Sequence, residues 1–91
     1  SQTITVEFDD NLCHERGIYG TCKLSENKIV LAKNFNGITL PGTRIEKTFY
    51  HEIVHCILGN MSEDKLFNDE KFVQTFGNLL HQIINTYEWG K

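Results

Sequence analysis

His51-Glu52-Ile53-Val54-His55 places two imidazoles and a carboxylate within one and a half helical turns. On a helix, residues i and i+4 stack on one face, so His51 and His55 point at a common spot while Glu52 falls on the flank. Two neutral imidazoles are good ligands for zinc. A carboxylate beside them, too far round to bind the ion, can take a proton from water activated there. A general base and a metal-lowered water pKa are what hydrolysis at neutral pH requires.

The surroundings predict the helix that this spacing needs. Pro41-Gly42 punctuates the chain, Thr43-Arg44-Ile45-Glu46 fits a capping box, and Gly59-Asn60 stands where a C′ residue of positive φ is expected, giving a helix of roughly 44–58. Arg44, Thr48, His51, Glu52, His55 and Gly59 form its polar stripe, and Phe49, Tyr50, Ile53, Val54, Ile57 and Leu58 make the rest apolar.

A catalytic zinc usually keeps three protein ligands, and the third must come from another element. Glu63, Asp64, Asp69, Glu70 and His81 follow the helical turn as candidates. Glu70 is well placed, because the chain after His55 has length enough to turn and bring a second helix alongside. His81 is ~16 Å further along that helix at 1.5 Å per residue, so the two cannot share an ion. Glu70, Gln74, Gly77 and His81 form one stripe, and Gly77 allows close helix approach.

His51-Glu52-x-x-His55 followed by Glu70-x-x-Val73-Gln74-x-Phe76-Gly77-x-Leu79-Leu80 resembles the small gluzincins, in particular the ImmA/IrrE-type and related phage metallopeptidases. Their last helix reads E-x-x-A-N-x-F-A-x-x-L-L; this chain has Val73, Gln74 and Gly77 where that pattern has alanine, asparagine and alanine. The resemblance spans about 45–80. It implies a minimal zincin-like domain in which His51, His55 and Glu70 bind Zn²⁺ and Glu52 is the general base of a metallopeptidase acting on peptide or protein substrates. The third histidine of the longer metzincin pattern is missing between Asn60 and Leu66. The rival reading is a zinc-stabilised regulatory or interaction module, favoured by the little room that 91 residues leave for a walled cleft.

The remaining elements must position this turn. Thr3 to Phe8 alternates and is rich in β-branched residues, as a half-buried strand does. Leu12 to Arg16 reads as loop, 17–24 as a second strand, and Lys28 to Ala32 as a third, paired with the second as an antiparallel hairpin. Ile29 to Leu31 is expected at a sheet edge, open to β-augmentation by a peptide. Asn34 to Pro41 reads as a surface connection, and 61–67 as a polar link with one helical turn. Asn68 is the expected N-cap of a last helix, with Phe67 and Phe72 as its hydrophobic staple. From Phe72 to Tyr87 apolar residues recur at helical spacing, offering a broad face to the sheet and the zinc helix. Trp89 to Lys91 form a tail. The expected fold class is α+β: a small antiparallel sheet followed by two helices, in one domain covering 1–91.

Composition narrows the function classes. With 40% apolar and 23% charged residues the chain reads as a soluble globular protein. A net charge of −3 without a basic run argues against nucleic acid as the main partner. The absence of an apolar run of membrane-spanning length argues against a bilayer. Oligomeric state leaves no mark in the sequence. Cys13, Cys22 and Cys56 lack zinc-knuckle spacing. Cys56, inside an apolar helix, is expected reduced. Cys13 and Cys22 could pair if the protein were exported, but reduced thiols and a cytoplasmic setting are the expectation, with Cys13 an alternative thiolate plug on the zinc. Tyr19, Tyr50 and His14 are the candidate oxyanion donors.

Overall fold

The computed structural model describes residues 3–90, in which short strands and helices combine as an α+β fold. In chain order the elements are β1 (Thr5–Phe8), α1 (Asp10–Arg16), β2 (Gly20–Lys23), β3 (Lys28–Leu31), β4 (Asn34–Phe35), β5 (Ile38–Thr39), α2 (Gly42–Asn60), α3 (Asp64–Phe67) and α4 (Glu70–Thr86).

The main sheet has the order β1-β3-β2. The β2–β3 hairpin is antiparallel as expected, with Thr21 opposite Val30, but β1 runs parallel to β3. The strand expected at the edge, β3, is therefore the central one, and the free edges belong to β1 and β2. Its unbroken Ile29-Val30-Leu31-Ala32 run is what a strand covered on both faces requires. Val30 and Ala32 pack with Cys13 of α1, while Ile29 and Leu31 face Cys56, Phe49 and Ile53 of α2.

The cover on the first face is a helix where a loop was expected. Asp9 caps it by accepting from the Leu12 N–H at 3.0 Å, and Gly17 closes it at φ 66°. Asp10 then reaches across to the chain after β3. Its Oδ1 accepts from the Lys33 and Asn34 N–H groups (2.7 and 3.1 Å), and its Oδ2 from Asn34 Nδ2 (3.0 Å). The supposed surface connection after β3 is a short hairpin, β4–β5. Asn36 and Gly37 both have positive φ there (54° and 76°), as a type I′ turn demands.

Helix α2 is two residues longer at each end than expected. Pro41 is its N-cap and no side chain caps it, so the capping box does not form. Gly59 lies inside the helix rather than at C′, and the positive φ falls at Ser62 (60°). What Gly59 provides is room, since a Cβ there would collide with the Leu24 side chain. At the start of α4 the cap is Asp69, which accepts from the Phe72 N–H at 3.0 Å, and not Asn68, which ends α3. Phe67 and Phe72 nevertheless both pack on the Val54–Leu58–Val73 cluster that joins α2, α3 and α4.

Only Val73 and Gly77 of α4 are buried, and Phe76, Leu79, Ile83 and Ile84 are about half exposed. The broad apolar face expected to meet the sheet and the helix of His51 is thus mostly open: α4 packs on that helix, α2, as expected, but its other neighbour is α3 and not the sheet. No helix is long and apolar enough to cross a membrane, among the described residues.

The candidate metal centre

Helix α2 carries His51, Glu52 and His55 past the sheet, and α4 brings Glu70 to meet them on its first turn. The two helices come close because Gly77 lies against the α2 backbone. A Cβ there would sit 3.3 Å from His51 Cα and 3.4 Å from His51 N. Glu70 Oε2 is 3.0 Å from His51 Nε2 and Glu70 Oε1 is 3.1 Å from His55 Nε2. One donor atom from each of the three residues falls within 4.8 Å of the others, a cluster able to hold a metal ion. The other candidate ligands do not join it. His81 pairs with Glu46 at 3.4 Å and stacks edge-on against Tyr50.

The hydrogen bonds around the cluster suit a cation. Gln74 donates its amide to Asn78 Oδ1 (3.2 Å), which turns Gln74 Oε1 toward His51 Nδ1 at 3.0 Å. That oxygen can only accept, so it holds the His51 proton on Nδ1 and leaves the Nε2 lone pair facing a carboxylate oxygen. Two acceptors at that separation need a proton or a metal cation between them. His55 is 8% exposed; burial lowers its pKa below the usual imidazole value, with Glu70 opposing, which favours the neutral ligand form. Its ring packs edge-on against Phe67, and its Nδ1 is buried without a partner.

Glu52 is also 8% exposed, and burial pushes its carboxyl up to about 7; His51 lowers it and Glu70 raises it further. A buried carboxylate poised near neutrality has the affinity a proton shuttle needs. Glu52 shares with the cluster a cleft of about 590 Å³. Gly17 to Cys22, with β2, form one wall, and Arg44, Lys47 and Thr48 of α2 form another. The little room expected for a walled cleft is therefore enlarged by the loop before β2. Of the oxyanion candidates only Tyr19 lines this cleft, under the Arg44 guanidinium at 5.3 Å; His14 packs on Phe35, and Tyr50 on Phe49 and His81.

The cysteines depart from expectation. Cys22 of β2 and Cys56 of α2 form a disulfide with Cα atoms 6.2 Å apart, so Cys56 is not a reduced core thiol and Cys22 does not pair with Cys13. Cys13 is free, fully buried beneath Val30 and Ala32, and burial raises its pKa. It is not part of the His51–His55–Glu70 cluster. Sequence reasoning also missed Asn78, Lys47 and Arg16; it put Arg44 on the polar stripe with His51, where the structure has it, but gave it no role. The i+4 spacing of Gln74 and Asn78 was a readable signal for the first, and the four-residue spacing of Lys47 before His51 for the second; the arrival of Arg16 from α1 was not legible. Comparison with protein families, curated proteins and solved structures finds no match for this chain.

Proposed function

We propose that the protein is a zinc-dependent metallopeptidase of the gluzincin kind, on a minimal zincin-like fold. The observation that carries this reading is the buried Glu52 carboxyl beside the His51–His55–Glu70 cluster, in one cleft. A structural metal site has no use for a fourth, proton-accepting carboxylate at that position.

His51, His55 and Glu70 would hold the zinc, which supplies polarisation of an amide carbonyl and a lowered water pKa when bound. Nitrogen and carboxylate donors are a usual catalytic zinc set, and three protein ligands leave a position open. Gln74 keeps His51 in the tautomer whose Nε2 can ligate. Glu52 takes the proton of the attacking water and delivers it to the departing amine nitrogen. An extended substrate backbone fits along β2, the free sheet edge that lines the cleft, in the way the sequence suggested for the neighbouring strand. The Cys22–Cys56 bond supports work in an oxidising compartment rather than the cytoplasm.

Two isosteric variants test the assignment. Glu52→Gln should keep about one zinc per chain, measured by metal analysis, while hydrolysis of a denatured protein substrate falls by about 10² or more. Glu70→Gln should weaken zinc binding, because an amide oxygen is a poorer donor to a dication. Peptide cleavage untouched in Glu52→Gln, or zinc held as tightly in Glu70→Gln as in the parent, would sink the assignment.

A further inference from the structure

The chain is acidic, yet its cleft is lined by unneutralised cations. Arg16, Arg44 and Lys47 all face the cleft, and none of them makes an ion pair among the described residues. The carboxylates that line it are Glu52 and Glu70, both taken up by the metal centre. The acids that do form ion pairs elsewhere, Glu7 and Glu26 with Lys28 and Glu46 with His81, lie outside the cleft. With a net charge of −3 over the whole chain, this local excess of positive charge is a feature of the site and not of the composition.

The cations also have an address along the cleft. Lys47 and Arg44 precede His51 on α2 by four and seven residues, which places them ~6 and ~10 Å up the helix from the first ligand. Arg44 lies over the Tyr19 ring, and Arg16 reaches the same cleft from the end of α1, so two separate elements contribute cations. An extended chain advances about 3.3 Å per residue, so this end of the cleft meets a substrate two to three residues from the metal.

Resting on the peptidase reading above, we infer that the site selects peptides bearing an Asp or Glu two to three residues to one side of the bond presented to the metal, held by Arg44 and Lys47 with Arg16 contributing from α1. A nucleic-acid strand fits less well. The overall charge is negative, and Tyr19, the aromatic ring of the cleft walls nearest these cations, is already covered by Arg44.

The test uses the zinc-loaded full chain carrying Glu52→Gln, so that binding is read without turnover. Fluorescently labelled decapeptides with Glu at successive positions, each matched by its Gln counterpart, are titrated by anisotropy. The expected result is about tenfold tighter binding for Glu at one or two adjacent positions, shrinking as salt rises. Adding Arg44→Gln and Lys47→Gln should abolish the difference with folding and zinc content intact; Arg16→Gln alone should reduce it, and the distant Lys33→Gln should leave it unchanged. Equal affinity for Glu and Gln peptides overturns the inference whatever the enzyme cleaves. A single-stranded oligonucleotide that outcompetes the acidic peptide also overturns it. A clear Glu preference in binding, with no peptide cleaved by the parent chain, supports the inference and removes the peptidase reading instead.

Discussion

Asp10 shows how one side chain outside the candidate metal centre supports the architecture that carries it. It sits on α1 but accepts three hydrogen bonds from Lys33 and Asn34, tying the helix under the sheet to the β4–β5 hairpin. The Asn34 side chain and then the two backbone N–H groups hold its carboxyl below the usual 3.8, since each stabilises the charged form. A carboxyl with a depressed folded pKa adds stability that is present above its unfolded pKa and lost as pH falls through the folded one. Thermal melts between pH 7 and 2 should therefore show Asp10→Ala less stable than the parent at neutral pH, with the gap closing below pH ~4. A gap that stays constant across that range would show that charge plays no part in the contact. At the same scale, Gln74 does for His51 what Asp10 does for Asn34: its oxygen orients a group whose own function lies elsewhere.

At the scale of elements, the site depends on how closely α4 can approach α2. A Cβ added at Gly77 would lie 3.3 Å from His51 Cα, so a larger side chain there must push α4 outward and take Glu70 with it. Gly77→Leu is expected to lower zinc affinity by tenfold or more while the separately packed β2–β3 hairpin keeps its structure, on the usual scale for disturbed metal surroundings. Competition with a chromophoric chelator, alongside amide chemical shifts in β2 and β3, would measure both. Unchanged zinc affinity would mean that Glu70 reaches the ion independently of helix spacing. The capping of these elements was only partly readable. Asp9 and Gly17 bracket α1 with ordinary cap signals, but the sequence between them lacks a long apolar stripe because only Cys13 of that helix is buried. A helix of seven residues has too few turns for periodicity to show.

For the whole molecule, the Cys22–Cys56 bond joins the strand that lines the cleft to the helix that carries His51 and His55. The two residues are 34 apart in sequence, and closing a loop of that length constrains the unfolded chain by about 3–4 kcal/mol. Denaturant unfolding with and without a reductant should show a loss of that order, and non-reducing mass spectrometry should find the bond between these two cysteines. Stability unaffected by reduction would show that the sheet and α2 hold together without it. The molecule also leaves apolar surface open. The exposed stripe of α4 is one part; a groove of about 470 Å³ between β1 and α2, lined by Ile4, Val6, Phe49, Ile53 and Ile57, is another.

The sequence by itself determined the local chemistry: the i, i+4 histidines, the flanking Glu52, the extent of the last helix and the antiparallel hairpin before α2. These follow from periods of 3.6 and 2 and from turn residues, which act over a few neighbours. Asn36-Gly37 belonged to the same class of signal, and it specifies the β4–β5 hairpin that was expected to be an irregular connection. Tertiary structure alone decided that β3 is central, because a parallel partner such as β1 is separated from it by a helix and another strand. It also decided which cysteines meet: Cys22 lies nearer Cys13 along the chain, yet Cys22 and Leu31 share the face packed on α2, while Cys13 packs on the opposite face. The arrival of Arg16 beside Arg44 and Lys47 at one cleft is likewise a product of packing, since it comes from α1 and no period or spacing links it to the helix that carries His51.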